Sequence, residues 1–404
     1  MDIVILGAGI AGSSAAIALH QQGHRVRLYE RRDALTTMGA GLVLWPNASF
    51  VLAELGLLPE VAAMSGRPLE MRRMDPQGGS LGAIDISTLD GLMGHSSYSI
   101  LRRDLQALLL RHLAAQGIEV AFNHCVKAIE QGGDGSAVVC LADGSRICAD
   151  LIVGADGRMN SLTRQYVTGS NTPVYQGFVN WIGVAESTSA LVEDITIDDY
   201  WGIGQRFGLV AVTPHKIYWA AAKAVDIADA SAQEESKSTI EKMFENWAEP
   251  IGRVIRATTN DAIRKIRVHD LDPIPVWHRD NVLLIGDAAH APLPTSGQGA
   301  CQALEDAWHL ARSVTQGKND LTGALVAFTQ KRAAKTMTLT ERARISAQTL
   351  FSVDKARCAI RNETAKASDP MADVQAMAKS WGAHLPLTVK EGRPNSVDAK
   401  LSLW

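Results

Sequence analysis

The segment DIVILGAGIAGSSAAIALHQQGHRVRLYE, residues 2–30, constrains the fold more than any other part of the chain. Its apolar start predicts a buried strand, a helix follows and ends at Gly23, and a second apolar run predicts another strand. Gly7, Gly9 and Gly12 stand between the first strand and the helix with GxGxxG spacing. Strand, helix, strand and glycines together predict a βαβ unit that binds a dinucleotide. The alternative is a glycine-rich turn in an α/β protein without a nucleotide.

Each glycine of this motif has a separate role. Gly7 permits the tight turn, Gly9 lets the backbone approach a pyrophosphate, and Gly12 allows the helix to pack closely on the strand. The N-terminus of the helix directs free N–H groups and its positive dipole end toward the phosphates. Glu30 ends the second strand, where its carboxylate can accept hydrogen bonds from ribose hydroxyls and would repel a 2′-phosphate. The resident nucleotide is therefore predicted to be FAD or NAD rather than NADP.

Three later segments extend this pattern. YSILRRDLQALLL (98–110) begins extended and becomes a helix, and DLIVGADGRMNSLTR (150–164) is a strand that ends at Asp156-Gly157. VLLIGDAAHAPLPTSGQGACQALEDA (282–307) is a strand that delivers Asp287 to a loop of small residues and prolines, after which a helix begins. A loop so poor in large side chains lets a ligand approach its backbone.

With these motifs in this order, the chain resembles the single-component FAD-dependent aromatic hydroxylases over roughly residues 1–345. Shorter similarities point to the branch of urate hydroxylases, 3-hydroxybenzoate 6-hydroxylases and zeaxanthin-epoxidase-like enzymes, namely GAGLVLWPN (39–47), FVNWIG (178–183) and GQRFGLVAVTP (204–214). The resemblance implies FAD as the cofactor and NADH or NADPH as a transient reductant. It also implies that O2 hydroxylates a small aromatic or heteroaromatic molecule through a flavin C4a-hydroperoxide.

The implied fold is mixed α/β, with a Rossmann-like FAD-binding domain, an inserted antiparallel β-sheet substrate domain and C-terminal helices. Alternating patterns within 171–225 support the inserted sheet. GIGQR at 202–206 has the wrong spacing for a second dinucleotide motif, so the nicotinamide must dock transiently. The predicted boundaries are 1–70, 98–170 and 268–345 for the FAD-binding domain, 71–97 and 171–267 for the substrate domain, and 346–404 for the C-terminal helices and tail.

The resemblance also assigns cofactor contacts. Asp287 would accept a hydrogen bond from a ribityl hydroxyl, and the helix that begins after Gly297 would stabilise negative charge on the pyrimidine edge of the flavin. Asp156 would order the backbone near the phosphates, or act only as a turn carboxylate that bonds its own backbone. The predicted cofactor-binding residues are Gly7, Gly9, Ala11, Gly12, Glu30, Arg31, Val43, Arg102, Val126, Asp156, Asp287, Gly297, Gly299 and Ala300.

The predicted catalytic residues are Arg206, Tyr218 and Pro294. Arg206 is a lone cation in an apolar hairpin and could bind a carboxylate, a phenolate or a ring carbonyl; the alternative is an exposed strand arginine. Pro294 holds the flavin loop rigid. With Arg206 and Tyr218, three further aromatic residues could line the pocket or form the core of the sheet, namely Trp181, Phe207 and Trp219. His290 is interpreted as a hydrogen-bonding residue of the loop rather than a catalytic one.

Charge and cysteine usage exclude other classes. A net charge of −3 without a long basic run argues against nucleic acid and anionic membranes as partners. The five cysteines form no CxxC pair and have no nearby histidine at metal-ligand spacing, so we expect no metal site and a cytoplasmic protein. We also expect a monomer or homodimer. The alternative functions are a flavin-dependent halogenase, whose WxWxIP motif does not occur here, an isoprenoid-chain reductase, and a non-enzymatic flavin-binding redox sensor.

Overall fold

The structure is a computed structural model and describes residues 1–34, 40–133, 136–230 and 236–387. The predicted C-terminal tail after residue 387 lies outside these ranges. The strands are β1 (Asp2–Leu6), β2 (Arg25–Tyr29), β3 (Gly41–Leu44), β4 (Glu70–Met74), β5 (Ser80–Asp85), β6 (Tyr98–Leu101), β7 (Val120–Ala121), β8 (Val126–Gln131), β9 (Ala137–Leu141), β10 (Arg146–Ile147), β11 (Leu151–Gly154), β12 (Val174–Glu186), β13 (Ile197–Trp201), β14 (Gln205–Thr213), β15 (Lys216–Ala224), β16 (Arg264–Asp270), β17 (His278–Arg279) and β18 (Val282–Leu284). The helices are α1 (Ile10–Gln21), α2 (Pro46–Glu54), α3 (Leu58–Met64), α4 (Ile86–Met93), α5 (Arg102–Ala115), α6 (Leu162–Thr168), α7 (Lys237–Met243), α8 (Ile251–Ala257), α9 (Gly299–Gln316), α10 (Leu321–Leu350), α11 (Lys355–Lys366) and α12 (Pro370–Gly382).

The N-terminal motif forms the centre of a six-stranded sheet with the order β17-β18-β11-β1-β2-β7. Its strands are parallel except for the edge strand β17. The central strand β1 is apolar on both faces because both are covered. Ile3 and Ile5 belong to the core formed with α1, α5 and α9, whereas Val4 and Leu6 pack with residues of the three-stranded sheet β10-β9-β8. Parallel strands bring the ends of β1, β11 and β18 to one edge, where the motif loops meet.

A second, seven-stranded sheet has the order β16-β12-β15-β14-β13-β4-β5 and is antiparallel except for the pair β4–β13. One of its faces packs against α7 and α8 through a core that includes Trp219 and Phe244. Its other face looks toward the parallel sheet and, at one end, packs against α10 through Ala222 and Ala347. The segments 70–85 and 174–270, which flank the Asp156-Gly157 motif, thus supply one common sheet.

The C-terminal helices close the far side of this arrangement. The helix α10 is 30 residues long and runs across the boundary predicted between residues 345 and 346. The helix predicted at 374–381 is longer in the structure, because Asp369 caps it with a hydrogen bond from the backbone N–H of Met371. Among the described residues, no helix is both long enough and apolar enough to span a membrane.

The predicted mixed α/β class is confirmed by these sheets and helices. The domain boundaries themselves stay a prediction.

Candidate cofactor and substrate site

A single cavity of about 870 Å³ extends from the parallel sheet to the seven-stranded sheet. All of the predicted cofactor-binding and catalytic residues except Gly12 line it. Residues more than 250 positions apart, such as Val43 and Gly297, thereby meet on one wall. Its lining includes Glu30, Arg31 and Val126 beside the parallel sheet and Trp201 and Arg206 on the seven-stranded sheet.

The glycines of the turn after β1 have different roles: some line the cavity, and one allows close packing of α1. Gly7 has φ +108° and a side chain there would collide with the carbonyl oxygen of Ala155. At Gly9 an added Cβ meets nothing within 4 Å, so the backbone is open to the cavity. Gly12 lies behind the wall, where a Cβ would collide with the carbonyl oxygen of Gly7. The role of Gly12 is therefore close packing of α1, and it does not line the cavity.

The Glu30 carboxylate, just after β2, is held by hydrogen bonds from two backbone N–H groups. Its Oε2 accepts a hydrogen bond from the backbone N–H of Ala8 at 2.9 Å, and its Oε1 accepts one from that of Arg32 at 3.0 Å. The carboxylate thus lines the cavity in a fixed position beside the glycine turn. This is the position from which ribose hydroxyls of an adenosine can be bound.

Asp287 follows β18 in a short 3-10 turn, Gly286–Ala288. The adjacent Gly286 has φ +57°, and a Cβ there would lie 2.6 Å from Cβ of Ala11, so loop and helix α1 fit only with glycine. The Asp287 carboxylate lines the cavity and forms an ion pair with Arg158, Oδ2 to Nη1 2.9 Å. Arg158 was not predicted as a site residue, although it directly follows the Asp156-Gly157 motif.

Asp156 has the turn role that the sequence left open, and its contact with a cofactor stays a prediction. It lines the cavity, and its Oδ1 accepts a hydrogen bond from the Ser161 hydroxyl at 2.6 Å. Its Oδ2 accepts one from the backbone N–H of Thr163 at 3.1 Å. The carboxylate therefore ties the motif to the first turn of α6.

The N-terminus of α9 faces the cavity without a side-chain cap. Gly297, Gly299 and Ala300 line the cavity there, so the backbone N–H groups of the first turn are directed at it. Trp45 fixes the preceding loop by donating from Nε1 to the carbonyl oxygen of Gly297 at 3.2 Å. Pro294 belongs to a 3-10 turn, Pro294–Ser296, on the same wall.

A buried polar network lies behind this loop. Asp306 accepts hydrogen bonds from the backbone N–H of Gly286 at 2.8 Å, from His290 Nε2 at 2.7 Å and from Arg332 Nε at 2.7 Å. Burial alone would raise the pKa of Asp306, but His290 and Arg332 outweigh it and lower the pKa to about 2. His290 is thus a hydrogen-bonding residue of the loop, as interpreted from the sequence.

Glu305, the neighbour of Asp306, extends the network toward the C-terminal helices. It accepts from Arg332 Nη1 at 2.6 Å and from Lys335 Nζ at 2.8 Å. Lys335 also donates to the carbonyl oxygen of Trp381 at 2.6 Å, and Trp381 lines the cavity. Sequence reasoning missed this network; its only signal is the adjacent pair of acids inside an otherwise apolar stretch of α9.

Strand register decides which side chains of the seven-stranded sheet face the cavity. Asn180, Arg206 and Trp201 belong to one cross-strand row and line the cavity, and Tyr218 lies on the same face. Trp181, Phe207 and Trp219 point to the opposite face and are buried in its core. Of the two alternatives that the sequence left open for these aromatic side chains, the structure shows the sheet core. Each is an odd number of positions from a cavity-facing residue of its strand.

Arg206 is neither exposed nor unpaired. Its Nε and Nη2 donate to Asp199 Oδ1 at 2.6 Å and Oδ2 at 3.1 Å, a bidentate pair between neighbouring strands. Burial would lower the pKa of Arg206, but the attraction and hydrogen bonds of Asp199 outweigh it and raise the pKa. Burial also raises the pKa of Tyr218 to about 12, against the opposing effect of Arg206 and Arg102. Tyr218 is therefore a neutral hydrogen-bond donor at physiological pH.

These residues fit an elongated dinucleotide. Two helix N-termini without side-chain caps, those of α1 and α9, open on one cavity. The space above Gly9 is clear, and the buried Gln298 Nε2 has no hydrogen-bond partner within the described ranges. A turn suited to phosphates, an acid suited to ribose and a second helix N-terminus on the same cavity are the features of a flavin-dependent enzyme.

The comparisons with known proteins agree with this class. Residues 1–343 match the FAD binding domain family, and the chain belongs to it. It is an FAD-dependent monooxygenase of the aromatic hydroxylase type. A non-enzymatic flavin sensor is therefore not supported.

Curated relatives and solved structures show the same similarity. The chain is 33% identical over 354 residues to an FAD-dependent urate hydroxylase from Mycolicibacterium vanbaalenii. The aligned region covers 85% of this chain and 87% of that protein. It is 32% identical to the aurachin C monooxygenase/isomerase from Stigmatella aurantiaca over 78% of this chain and 81% of that one. The crystal structure of Klebsiella pneumoniae HpxO complexed with FAD and uric acid superposes with a TM-score of 0.85, 27% identity, and coverage of 95% and 97% of the two chains.

Proposed function

We propose that this protein uses NADH or NADPH and O2 to hydroxylate a small heteroaromatic molecule. The observation that carries the proposal is the single cavity that places the flavin-type loop and the Arg206–Asp199 pair on facing walls. The curated relatives act, by their names, on urate and 6-hydroxynicotinate, both heteroaromatic. When bound, FAD supplies the chemistry: it takes two electrons from the nicotinamide and activates O2, of which one atom enters the ring and the other leaves as water.

The residues at the edge of the parallel sheet would bind and orient the cofactor. Gly9 and the N-terminus of α1 would hold the pyrophosphate, and Glu30 would bind the adenosine ribose. Asp287 would accept from a ribityl hydroxyl, with Arg158 keeping its carboxylate in place. The N-terminus of α9 would stabilise negative charge on the flavin pyrimidine edge.

The residues of the sheet would bind and orient the substrate. Arg206 has further N–H donors beyond its bidentate pair, and Tyr218 offers a phenolic O–H that stays protonated. Both can donate to a ring carbonyl and stabilise charge that develops on it. Helices α10 to α12 cover this end of the cavity through Leu350 and Trp381 and would exclude water.

We also propose the division predicted from the sequence, in which the segments that carry the nucleotide motifs bind FAD and the inserted sheet binds substrate. The sheet is supported by the joining of β4 and β5 to β12–β16.

The function is tested by screening heteroaromatic compounds for faster NAD(P)H oxidation by the FAD-loaded protein, with hydrogen peroxide measured alongside. A true substrate raises oxidation with little peroxide and yields a product heavier by one oxygen atom. We expect Arg206→Met to lower this stimulated rate at least about tenfold, since a charged hydrogen bond contributes about 1.5–3 kcal/mol. Arg256→Met, on an exposed ion pair, is the matched control. No stimulation by any compound would overturn the proposal.

A further inference from the structure

The cavity-facing layer of the seven-stranded sheet has a gap in its middle. Ile182, Ala220, Gly208 and Asp199 lie side by side on four neighbouring strands, β12, β15, β14 and β13. All four line the cavity. Because directly paired residues point to one face, this row places two of the smallest side chains at the centre of the wall. We call Gly208 and Ala220 the sheet floor.

Neither backbone geometry nor packing requires glycine at position 208. A Cβ built there meets only the carbonyl oxygen of Ala220, at 3.9 Å, and the residue has no left-handed φ. Gly183 on β12 is the contrast, because its Cβ would lie 2.7 Å from the Trp219 ring. Glycine inside a strand weakens the strand and often marks a place where a ligand approaches closely. The space above Gly208 therefore belongs to the cavity.

Polar groups surround this floor. Tyr218 lies on one side and Arg206 on the other, each one row away on the same face. Trp201 pairs with Arg206 in the next strand and is 5% exposed. The indole N–H of Trp201 and the Oδ1 of Asn180 have no hydrogen-bond partner in the described part of the chain. A buried donor and a buried acceptor without partners cost free energy unless a ligand satisfies them.

The polar and charged side chains that surround the sheet floor, here called the rim, favour an uncharged ligand. Arg206 is held by both oxygens of Asp199, so it is not a free anion site. The Trp201 ring lies against two further guanidinium groups, those of Arg73 at 5.9 Å and Arg361 at 5.4 Å. Arg73 donates to Asp373 at 3.1 Å, and Arg361 donates to the carbonyl oxygens of Gly202 and Leu350. These cations position the indole and are themselves engaged.

We propose that Gly208 determines substrate specificity and that the substrate is an uncharged, planar heteroaromatic amide stacked flat on the sheet floor. Its ring N–H donates to an acceptor of the rim, Asn180 or Asp199, and its carbonyl accepts from Trp201, Arg206 or Tyr218. Glycine and alanine leave room for a flat ring face, whereas a branched side chain at position 208 would occupy that room. This inference rests on the proposed function, since it specifies the substrate of the same cavity.

The test measures binding to the oxidised, FAD-loaded protein by the change in flavin absorbance, without NAD(P)H. The probes are 2-quinolone, a two-ring amide, 2-pyridone, a one-ring amide, and benzoate, an anion. The variants are Gly208→Ala and Gly208→Val. The matched control is Gly91→Ala, at an exposed helical glycine whose added Cβ meets nothing within 4 Å.

We expect 2-quinolone to bind the unaltered protein more tightly than benzoate does. Gly208→Val should weaken 2-quinolone binding at least about tenfold, Gly208→Ala should weaken it less, and Gly91→Ala should leave it unchanged. FAD content should stay the same in all variants, and the thermal midpoint of Gly208→Ala should not fall, because alanine restricts the unfolded chain more than glycine does. This stability measurement separates a filled cavity from a damaged fold.

Two results would overturn the inference. Unchanged 2-quinolone affinity in Gly208→Val would show that the floor is not the ring platform. Tighter binding of benzoate than of 2-quinolone, or no binding of either amide, would show that the substrate class is wrong. Because binding is read without turnover, absence of stimulated NAD(P)H oxidation would count against the proposed function, whereas these binding results count only against the sheet floor.

Discussion

Two walls of the same cavity are supported in different ways. The loop wall, residues 286–300, is backed by the network of Asp306, His290, Glu305 and Arg332, in which carboxylates and cations are paired out of water. The sheet wall, formed by the cavity-facing residues of β12–β15, has no such network behind it among the described residues. It presents a floor of small side chains, beside which Asn180 Oδ1 and the Trp201 indole N–H find no partner in that part of the chain. A pre-organised wall suits a resident cofactor, and a wall with open positions suits a ligand that comes and goes.

The difference also separates what is rigid from what can vary. The network ties the turn at Gly286 through Asp306 to α10, so a change there must disturb the position of Asp287. A change on the sheet floor meets open space. We therefore expect substitutions behind the loop wall to cost stability and FAD, and substitutions on the sheet wall to change only which molecule binds.

The largest effect is expected for Arg332→Met. The side chain is fully buried between Glu305 and Asp306, and its removal leaves buried carboxylates with fewer cations. Breaking such a buried group costs about 3–5 kcal/mol of unfolding free energy. Urea unfolding of the FAD-loaded protein measures it, together with the FAD retained after gel filtration.

Arg256→Met is the control for this variant, because its pair with Glu249 is exposed and contributes at most about 1 kcal/mol. A loss below about 1 kcal/mol in Arg332→Met would mean that the network does not support the loop wall.

A smaller effect is expected for Asp287→Asn, which keeps the shape of the loop and removes the charge toward the cavity. Losing a charged acceptor should weaken FAD binding about tenfold, which corresponds to about 1.4 kcal/mol. Titration of the apoprotein with FAD, followed by quenching of flavin fluorescence, gives the dissociation constant. Asp261→Asn, at an exposed carboxylate, is the control. Affinity within twofold of the unaltered protein would remove Asp287 from the cofactor site.

The smallest effect at neutral pH concerns His309, which is 2% exposed beside the network. Burial, followed by repulsion from Arg332 and Lys331, lowers the pKa of His309 to about 2 from its usual 6.5. The folded protein thus keeps this imidazole neutral while the unfolded chain binds a proton below pH 6.5. Stability is complete above pH 6.5 and is lost as the pH falls toward 2.

His309→Gln removes this titration. Between pH 5.5 and 4.5 the difference in unfolding free energy between the unaltered protein and the variant should change by about 1.4 kcal/mol. Urea unfolding at pH 7.5, 5.5 and 4.5 gives the comparison, with His215→Gln, an exposed histidine, as the control. A difference that does not vary with pH would show that His309 is protonated in the folded protein and that the network tolerates a further charge.

Much of the cofactor side of the cavity could be predicted from sequence because local motifs encode it. Gly7, Gly9 and Asp287 stand in short segments whose turns demand particular residue types, and the structure brings these segments together at one sheet edge. The supporting network was not predictable in the same way. Glu305 and Arg332 lie 27 positions apart on different helices, and nothing local indicates that they are paired.

The sheet wall was predicted only in part. Alternation indicated a sheet and marked Arg206 and Tyr218 as candidates, but it did not reveal which alternate set faces the cavity. The partner Asp199 and the open position at Gly208 depend on strand register. A shift by one residue would exchange the two faces, so only the assembled sheet distinguishes core aromatics from cavity residues.

The sequence alone determined the class of cofactor, the mixed α/β fold and the residues whose backbone geometry the nucleotide motifs require, because those constraints act within a few neighbouring residues. The tertiary structure decided the ion pairing of Arg206, the buried network behind the loop and the room above the sheet floor. Each of these depends on which distant segments lie side by side, and that is fixed by packing and strand register rather than by any local pattern.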